Sequence, residues 1–239
     1  MRQLLDVGNT RIKWALVAGD AWQEGACLHA ELDALRGALH GKTLTAALGV
    51  NVSHEALGEA LATIAAAHGA PLRWLRSSAR ACGVTSLYRE PAQLGADRWA
   101  ALIGARALHR GPCLVVCAGT ATTVDVLDAQ GVFQGGLILP GEQLMRAALA
   151  RDTARLPLAD GIPADAPRST DEAIVTGCLY AQAGAIERMF ARLAGEPDAL
   201  CLLAGGNAAR VEPLLTLPRR RVDNLVLRGL AVYAETGAD

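Results

Sequence analysis

The sequence predicts an α/β protein built from two similar halves. Apolar residues at 4–7 and 12–17 indicate two strands joined by the tight turn Gly8-Asn9. The same design returns 111 residues later, where Cys117-Ala118-Gly119 takes the place of Asp6-Val7-Gly8. Because strands precede helical patterns in both parts of the chain, we expect two α/β halves at residues 1–110 and 111–239.

The first half continues from the hairpin into helical sequence. Alanine-rich stretches with helical spacing predict helices over residues 54–67 and 97–108. The pair Gly111-Pro112 then interrupts the helical pattern, and we place the boundary between the halves there.

The second half begins with three predicted strands, at residues 114–116, 123–127 and 135–139. Further on, Ser169 and Glu172 have the spacing of a capping box, which predicts the start of a helix. The apolar residues of that helix share one face, namely Ile174, Cys178, Ile186 and Met189. The later stretch LCLLAGGNAARV predicts a strand, a glycine turn and the beginning of another helix.

Composition excludes several classes of partner. The 239 residues are 51% hydrophobic and 20% charged, with a formal net charge of -1. No surplus of basic residues is available to neutralise the phosphates of a nucleic acid, and the apolar runs are shorter than a membrane span. No secretory apolar segment follows Arg2. We therefore expect a cytoplasmic protein that binds neither nucleic acid nor membranes.

The cysteines do not indicate a zinc site. None of the six forms a C-x-x-C pair, and the five histidines lie apart from them in the sequence. Buried, reduced thiols are the expected state.

The first turn carries chemistry that a plain hairpin does not need. A hairpin tip requires Gly and Asn, but it has no use for Asp6 before the turn and Lys13 after it. Turn N–H groups that converge on one point suit a phosphate, and Lys13 adds a cationic contact. Asp6 repels a bare phosphate but suits Mg²⁺, which bridges to nucleotide phosphates. Taken alone, the turn is explained equally by a hydrophilic hairpin tip.

The second glycine turn strengthens the nucleotide interpretation. Gly119, Thr120 and Thr122 offer backbone N–H groups and hydroxyls at the duplicate position. The recurrence of such a turn favours one nucleotide bound by both halves.

Five segments resemble the motifs of type III pantothenate kinases, a family of the actin, sugar-kinase and heat-shock-ATPase superfamily. DVGNTRIKWALV resembles the first phosphate motif, and YREPAQLGADRWAALIGA resembles the substrate segment with its G-x-D-R core. GTATTVDVLDAQGVFQGGLILPG is similar to the second phosphate motif, STDEAIVTG to a second substrate element, and LLAGGNA to a loop on the adenosine side. The resemblance implies two ribonuclease H-like halves with mixed sheets flanked by helices, and a nucleotide in the cleft between them.

The resemblance also implies an activity, the ATP-dependent phosphorylation of pantothenate, which is the first step of coenzyme A biosynthesis. It implies that Asp6 holds Mg²⁺ together with the ATP phosphates, and that the enzyme is a homodimer. The residues implied in ATP binding are Asp6, Val7, Gly8, Asn9, Thr10, Arg11, Ile12, Lys13, Gly119 and Thr120. Those implied in pantothenate binding are Tyr88, Gly95, Ala96, Asp97, Arg98 and Thr170, the last across the dimer interface.

Asp97 is the residue that the resemblance implies as the base. Phosphoryl transfer to a primary hydroxyl needs an acceptor for its proton, and the neighbouring Arg98 suits the substrate carboxylate. The plain alternative is an acid at a helix N-terminus beside a solvated arginine.

One position departs from the family pattern. Where the family usually has an acid associated with bound potassium or ammonium, this chain has Cys117. Because a neutral thiol is a poor ligand for a hard cation, we expect that monovalent-cation activation has been lost.

Two other functions remain open at this point. One is the phosphorylation of a different small-molecule alcohol on the same scaffold, and the other is a non-catalytic regulatory accessory factor. The set Asp6, Lys13, Asp97 and Arg98 argues against the second, since a pure binding module does not need an acid positioned as a base.

Overall fold

The computed structural model describes residues 1–236, which form two compact α/β units. The first unit comprises residues 1–108 with residues 224–236, and the second comprises residues 109–223. The predicted α/β class, with mixed sheets flanked by helices, is confirmed. The predicted halves are residues 1–110 and 111–239. The main difference from the observed units is the last helix, which packs within the first unit.

The first unit contains a five-stranded mixed sheet in the order β3-β2-β1-β4-β5. Its strands are β1 (Arg2–Val7), β2 (Arg11–Ala18), β3 (Ala21–Leu28), β4 (Ala46–Asn51) and β5 (Leu72–Trp74). Neighbours among β1, β2 and β3 are antiparallel, whereas β1, β4 and β5 run parallel. A further short hairpin joins β6 (Arg80–Ala81) to β7 (Val84–Ser86).

Four helices complete the first unit: α1 (Leu32–Leu39), α2 (Glu55–Ala67), α3 (Ala96–Leu108) and α7 (Leu225–Thr236). The predicted helices over residues 54–67 and 97–108 are confirmed to within one residue. Backbone contact joins α3 to α7, since a Cβ at Gly229 would lie 1.8 Å from the Ala100 carbonyl oxygen. A Cβ at Gly104 would lie 2.6 Å from the Leu225 carbonyl oxygen. This close crossing explains why residues 224–236 belong to the first unit.

The second unit repeats the sheet of the first. The five strands that residues 109–223 contribute follow the order β10-β9-β8-β11-β12, with antiparallel neighbours among β8, β9 and β10 and parallel neighbours among β8, β11 and β12. The strands are β8 (Cys113–Ala118), β9 (Ala121–Leu127), β10 (Val132–Pro140), β11 (Leu200–Ala204) and β12 (Arg219–Arg221). β1 and β8 begin and end 111 residues apart. The predicted repeat therefore corresponds to two sheets of the same order and strand directions.

Three helices belong to the second unit: α4 (Glu142–Asp152), α5 (Thr170–Phe190) and α6 (Ala208–Val211). The predicted start of α5 is confirmed, because Ser169 Oγ accepts a hydrogen bond from the Glu172 N–H at 3.2 Å. The Glu172 carboxylate binds the N–H of Arg168 at 2.7 Å, one residue earlier than in an ordinary capping box. The four apolar residues predicted to share a face of α5 all lie in the core of this unit.

All six cysteines are free thiols. Four of them are buried as expected, whereas Cys82 and Cys117 are half-buried. Over residues 1–236, no helix has the length and apolar character needed to cross a membrane. The same residues hold no group of three or more His, Cys, Asp and Glu side chains that is arranged for a metal ion.

Candidate nucleotide and acceptor sites

The first predicted phosphate turn lies between β1 and β2 in the first unit. The strand pairing places Asp6 directly opposite Lys13. The Gly8 N–H donates to the Arg11 carbonyl at 3.1 Å and closes the turn. Asn9, Thr10 and Arg11 are exposed, and Gly8 is half-buried. The turn thus presents an open tip with an acid and a lysine at its base.

Two contacts that the sequence does not reveal fix the carbonyl groups of this turn. The Val52 N–H donates to the Val7 carbonyl at 3.0 Å. His29 Nε2 lies 2.9 Å from the Gly8 carbonyl oxygen and must be the donor, because a carbonyl oxygen only accepts. Both residues come from distant stretches of the chain, and no local motif marks either of them.

The electrostatic environment of Asp6 links it to Asp97. Burial raises the pKa of Asp6 from 3.8 to about 6, Lys13 lowers this pKa, and the charge of Asp97 raises it. The two acids implied as metal ligand and base therefore act on one another within the first unit. A divalent cation at Asp6 would offset the cost of ionising this carboxyl, so the residue suits Mg²⁺.

The candidate base stands in the first turn of α3. Asp97 Oδ1 accepts a hydrogen bond from the Arg98 N–H at 2.8 Å. A Cβ at Gly95 would lie 2.6 Å from the same oxygen, so the absence of a side chain at residue 95 leaves room for the carboxylate. The fully buried Trp99 anchors this turn in the core.

Arg98 and Tyr88, both implied in substrate binding, are brought together. Arg98 is 4% exposed, and its Nη1 donates to the Tyr88 hydroxyl at 2.9 Å. The guanidinium carbon lies 5.7 Å from the centroid of the Tyr88 ring. Arg98 is therefore a buried, oriented cation, and the alternative of a solvated arginine is wrong.

A cavity of about 730 Å³ adjoins this segment in the first unit. It is lined at the ends of β4 and β5 by Val52 and Trp74, and on the other side by Leu94, Gly95 and Ala96. Ligands of α/β proteins commonly bind beyond the carboxyl ends of parallel strands. The cavity thus offers room for a small molecule next to Gly95 and Ala96, the two residues before Asp97.

The second phosphate turn lies between β8 and β9 in the second unit. The Gly119 N–H donates to the Ala121 carbonyl at 3.0 Å, and Thr120 is exposed. Gly141 packs on this turn, since its N–H donates to the Thr120 carbonyl at 2.8 Å. A Cβ at residue 141 would lie 2.1 Å from the Gly119 carbonyl oxygen, so the contact requires glycine.

The loop after β11, which resembles an adenosine-side loop, reaches the same turn. The Asn207 N–H donates to the Ala118 carbonyl at 3.0 Å. Gly205 has a φ of 102°, and a Cβ there would lie 2.2 Å from the Ala118 carbonyl oxygen. Both the backbone conformation and the close approach therefore require glycine at residue 205.

The chemistry at matched positions differs between the two units. Asp6 stands opposite Lys13 in the first unit, whereas Cys117 stands opposite Thr123 in the second. Cys117 is half-buried and is also paired with Ala204 of β11. The two sheets share their strand order, but only the first of the two turns has an acid and a lysine at its base.

Thr170 is the first residue of α5 and belongs to the second unit, whereas Tyr88 and the Gly95-to-Arg98 segment belong to the first. It is exposed at the edge of an apolar cavity of about 790 Å³ lined by α4 and α5. Leu144 and Tyr180 of these helices are 45% and 48% exposed. Thr170 therefore lies on an apolar, partly open helical surface.

Comparisons with known proteins agree on a family. The family model described as type III pantothenate kinase matches residues 3–192. A protein from Aromatoleum aromaticum named "Type III pantothenate kinase" is 56% identical over 237 residues, which are 98% of each chain. Among solved structures, a putative 2-dehydro-3-deoxygalactonokinase from Sinorhizobium meliloti has a TM-score of 0.66 at 16% identity, covering 98% of this chain and 99% of that one. A putative Baf family transcriptional activator from Campylobacter jejuni has a TM-score of 0.62 at 20% identity, covering 98% of both chains.

The raised pKa of Asp6 predicts that this acid destabilises the metal-free fold near neutral pH. Between pH 3.8 and about 6 the folded protein keeps a proton that the unfolded chain releases, so stability is lost as the pH rises through about 6. We expect Asp6→Asn to raise the free energy of unfolding by about 1 to 3 kcal/mol at pH 8 and to change it little at pH 3.5. Urea unfolding in EDTA at both pH values measures this difference.

The matched control is Asp20→Asn, at an exposed acid in the turn between β2 and β3. It should leave the free energy of unfolding unchanged at pH 8. Equal stability of wild type and Asp6→Asn at pH 8 would contradict the prediction.

Proposed function

The chain belongs to the type III pantothenate kinase family, and on that premise we propose which residues carry each part of the reaction. As a member of the family it phosphorylates pantothenate with ATP, the first step of coenzyme A biosynthesis. The observation that carries this conclusion is 56% identity over 98% of the chain to a type III pantothenate kinase. A cytoplasmic location stays a prediction.

ATP binds, in our proposal, through its phosphates to the backbone and side chains from Asp6 to Lys13, with further contacts from Gly119 and Thr120. Asp6 holds Mg²⁺, which supplies charge neutralisation at the phosphates when bound. The raised pKa of Asp6, caused mainly by desolvation, supports this assignment, because an ionised carboxyl there is stabilised by an added cation. Lys13 lies opposite Asp6 and adds a second positive charge at the base of the turn.

The acceptor reaction is proposed to depend on α3. As the terminal hydroxyl oxygen of pantothenate bonds to the γ-phosphorus and the bond from phosphorus to ADP breaks, Asp97 takes the hydroxyl proton. Asp97 Oδ1 already accepts the Arg98 N–H, so Oδ2 is the oxygen that we expect to take the proton. Arg98, oriented by Tyr88, pairs with the carboxylate of pantothenate, which positions the hydroxyl for attack.

The two other functions are less well supported. The structural likenesses to a putative sugar-acid kinase and a putative transcriptional activator are at 16% and 20% identity, and they support the fold alone. A regulatory protein without turnover does not require the Asp6–Lys13 pair or the oriented Arg98. A panel of alcohols with Mg·ATP separates pantothenate from other acceptors.

Phosphopantothenate formation by the purified protein is the test of this function. We expect wild type to convert pantothenate with Mg·ATP, and Asp97→Asn to lower kcat by roughly 10²- to 10⁴-fold, the usual contribution of a general base. The substitution keeps the size of the side chain, so the KM for ATP should change little. Near-normal turnover by Asp97→Asn would remove Asp97 from this role.

We further propose a homodimer formed through α4 and α5. The cavity lined by these helices is apolar, and exposed Leu144 and Tyr180 extend its surface. Close packing within the chain does not explain Gly177 and Gly184 of α5, since a Cβ at either would meet no atom of the described chain within 4 Å. Small residues at these positions favour the approach of a second helix. In this arrangement Thr170 contacts the substrate of the partner subunit.

The dimer predicts a size-dependent effect at residue 177. Light scattering should report a dimer for wild type and for Gly177→Ala, whereas Gly177→Leu should shift the protein toward monomer because its side chain fills the space of the second helix. A wild-type protein that stays monomeric at all working concentrations would reject the shared site at Thr170.

Cys117 leads us to propose that the enzyme has lost monovalent-cation activation. The Cys117 thiol stands opposite Thr123, and neither side chain brings a negative charge to this end of β8. A cation that is held partly by an acid at this position in the family should therefore bind weakly here.

Assays in matched potassium, ammonium and sodium salts test the loss of activation. We expect wild type to have equal activity in all three salts, and Cys117→Asp to become dependent on potassium or ammonium because it restores one negative charge. Cys117→Asn, which has similar size and no charge, is the control and should behave as wild type. Strong potassium dependence in wild type would show that another group holds the cation.

A further inference from the structure

An ion pair between a buried glutamate and a half-buried arginine of the second unit has no part in the reaction as proposed so far. Glu142, the first residue of α4, has a side chain that is 1% exposed. Arg210 of α6 donates from Nε and Nη2 to its two carboxylate oxygens at 2.6 and 2.7 Å. Arg146, one turn further along α4, places its Nε 3.5 Å from the same carboxylate. Glu142 is thus held in a bidentate pair and is flanked by a second guanidinium.

Glu142 is connected to the second phosphate turn through the residue that precedes it. Gly141 precedes Glu142 in the chain and donates its N–H to the Thr120 carbonyl at 2.8 Å. The same glycine lies against the Gly119 carbonyl so closely that no Cβ fits between them. A shift of Glu142 along α4 therefore moves the atoms that hold Thr120.

Arg210 is connected to the same turn through Asn207. Arg210 donates its backbone N–H to the Asn207 carbonyl at 3.0 Å. Asn207 in turn donates its own N–H to the carbonyl of Ala118, the residue before Gly119. The residues at the starts of α4 and α6 thus bind the carbonyls of Thr120 and Ala118, on either side of Gly119, and the Glu142–Arg210 pair joins the two helices.

We propose that Glu142 and Arg210 form a positioning pair that holds the Gly119-Thr120 turn in the conformation that binds ATP. The inference rests on the proposed contact of this turn with ATP. The bidentate geometry matters because a planar guanidinium fixes both distance and angle, which a lysine ammonium cannot reproduce. The pair acts through the backbone of the turn and does not itself touch the nucleotide.

The cations of this cluster also bind the segment that leads to Thr170. Arg210 Nη2 donates to the Gly161 carbonyl at 3.0 Å, and Arg146 Nη1 donates to the Ala159 carbonyl at 2.5 Å. Ala159 is itself buried in the core of the unit, so this segment keeps an anchor that is independent of Arg210. Loss of the pair should therefore affect ATP more than pantothenate.

The test is a double-mutant cycle on the KM for ATP. Glu142→Gln and Arg210→Gln should each raise this KM about 10-fold, with kcat and the KM for pantothenate changed less than about two-fold. The double variant should also raise it about 10-fold, because either substitution alone already breaks the pair. Arg221→Gln, which removes a more exposed ion pair with Glu212 in the same unit, is the control and should leave all three constants unchanged.

One further variant tests the geometry of the pair. Arg210→Lys retains the positive charge beside Glu142 but not the bidentate geometry, and it replaces Glu142→Gln in the test if that variant does not fold. It should also raise the KM for ATP. An unchanged KM for ATP in Arg210→Lys and Glu142→Gln, or a 100-fold rise in the double variant as expected for independent sites, would overturn the inference.

The variant Thr120→Val tests separately whether the Gly119-Thr120 turn binds ATP, whatever the role of the Glu142–Arg210 pair. If Thr120→Val raises the KM for ATP while the pair variants do not, the positioning pair is wrong and the role of the turn in ATP binding stands. If Thr120→Val leaves that KM unchanged, the proposed ATP contact itself is wrong, and the positioning inference fails with it.

Discussion

Backbone hydrogen bonding at the end of a central strand is the constraint on which both units depend. Within the sheet, β1 and β8 are paired on both sides, but their last carbonyl and N–H groups lose strand partners where the chain turns. In the first unit these groups are bound by Arg11, His29 and Val52. In the second unit they are bound by residues that follow β10 and β11, at Gly141 and Asn207. The shape of each phosphate turn is therefore set by neighbouring segments as well as by its own glycine.

This backbone scheme allows the two turns to differ in chemistry. In the first unit the matched position carries an acid with a lysine opposite, and in the second it carries a thiol with a threonine opposite. The strand order and directions are the same in both, because they depend on apolar strands and glycine turns that the duplication preserved. Charge is needed only where the metal and the phosphates are proposed to bind, and the uncharged thiol of Cys117 is compatible with the same sheet.

The sequence predicts what is local and repeated. The strands on either side of each glycine turn, the helix after Ser169, and the positions of Asp6 and Lys13 before and after the first turn follow from period, turn residues and capping within short windows. His29, Val52, Asn207 and the Glu142–Arg210 pair could not be predicted, because each acts on a residue between 21 and 89 positions away in the chain. The assignment of residues 224–236 to the first unit was missed for the same reason, since Gly229 meets Ala100 only in the folded chain. Long-range contacts of this kind leave no periodic pattern in a single sequence.

Asp6 and Glu142 are both largely removed from water, but they differ in how the chain compensates their negative charge. Lys13 does not offset the burial of Asp6, whose pKa stays raised at about 6, so a bound cation stabilises its ionised form. Glu142 lies between two arginines of its own chain, one of them bidentate, and needs no external cation. Well-packed apolar residues in place of a buried ion pair are often neutral or stabilising, and the 34% exposure of the Arg210 side chain further screens its attraction to Glu142. Stability alone is thus a weak reason to pair Glu142 with Arg210, and the fixed geometry that the pair imposes on the Gly119-Thr120 turn is the stronger one.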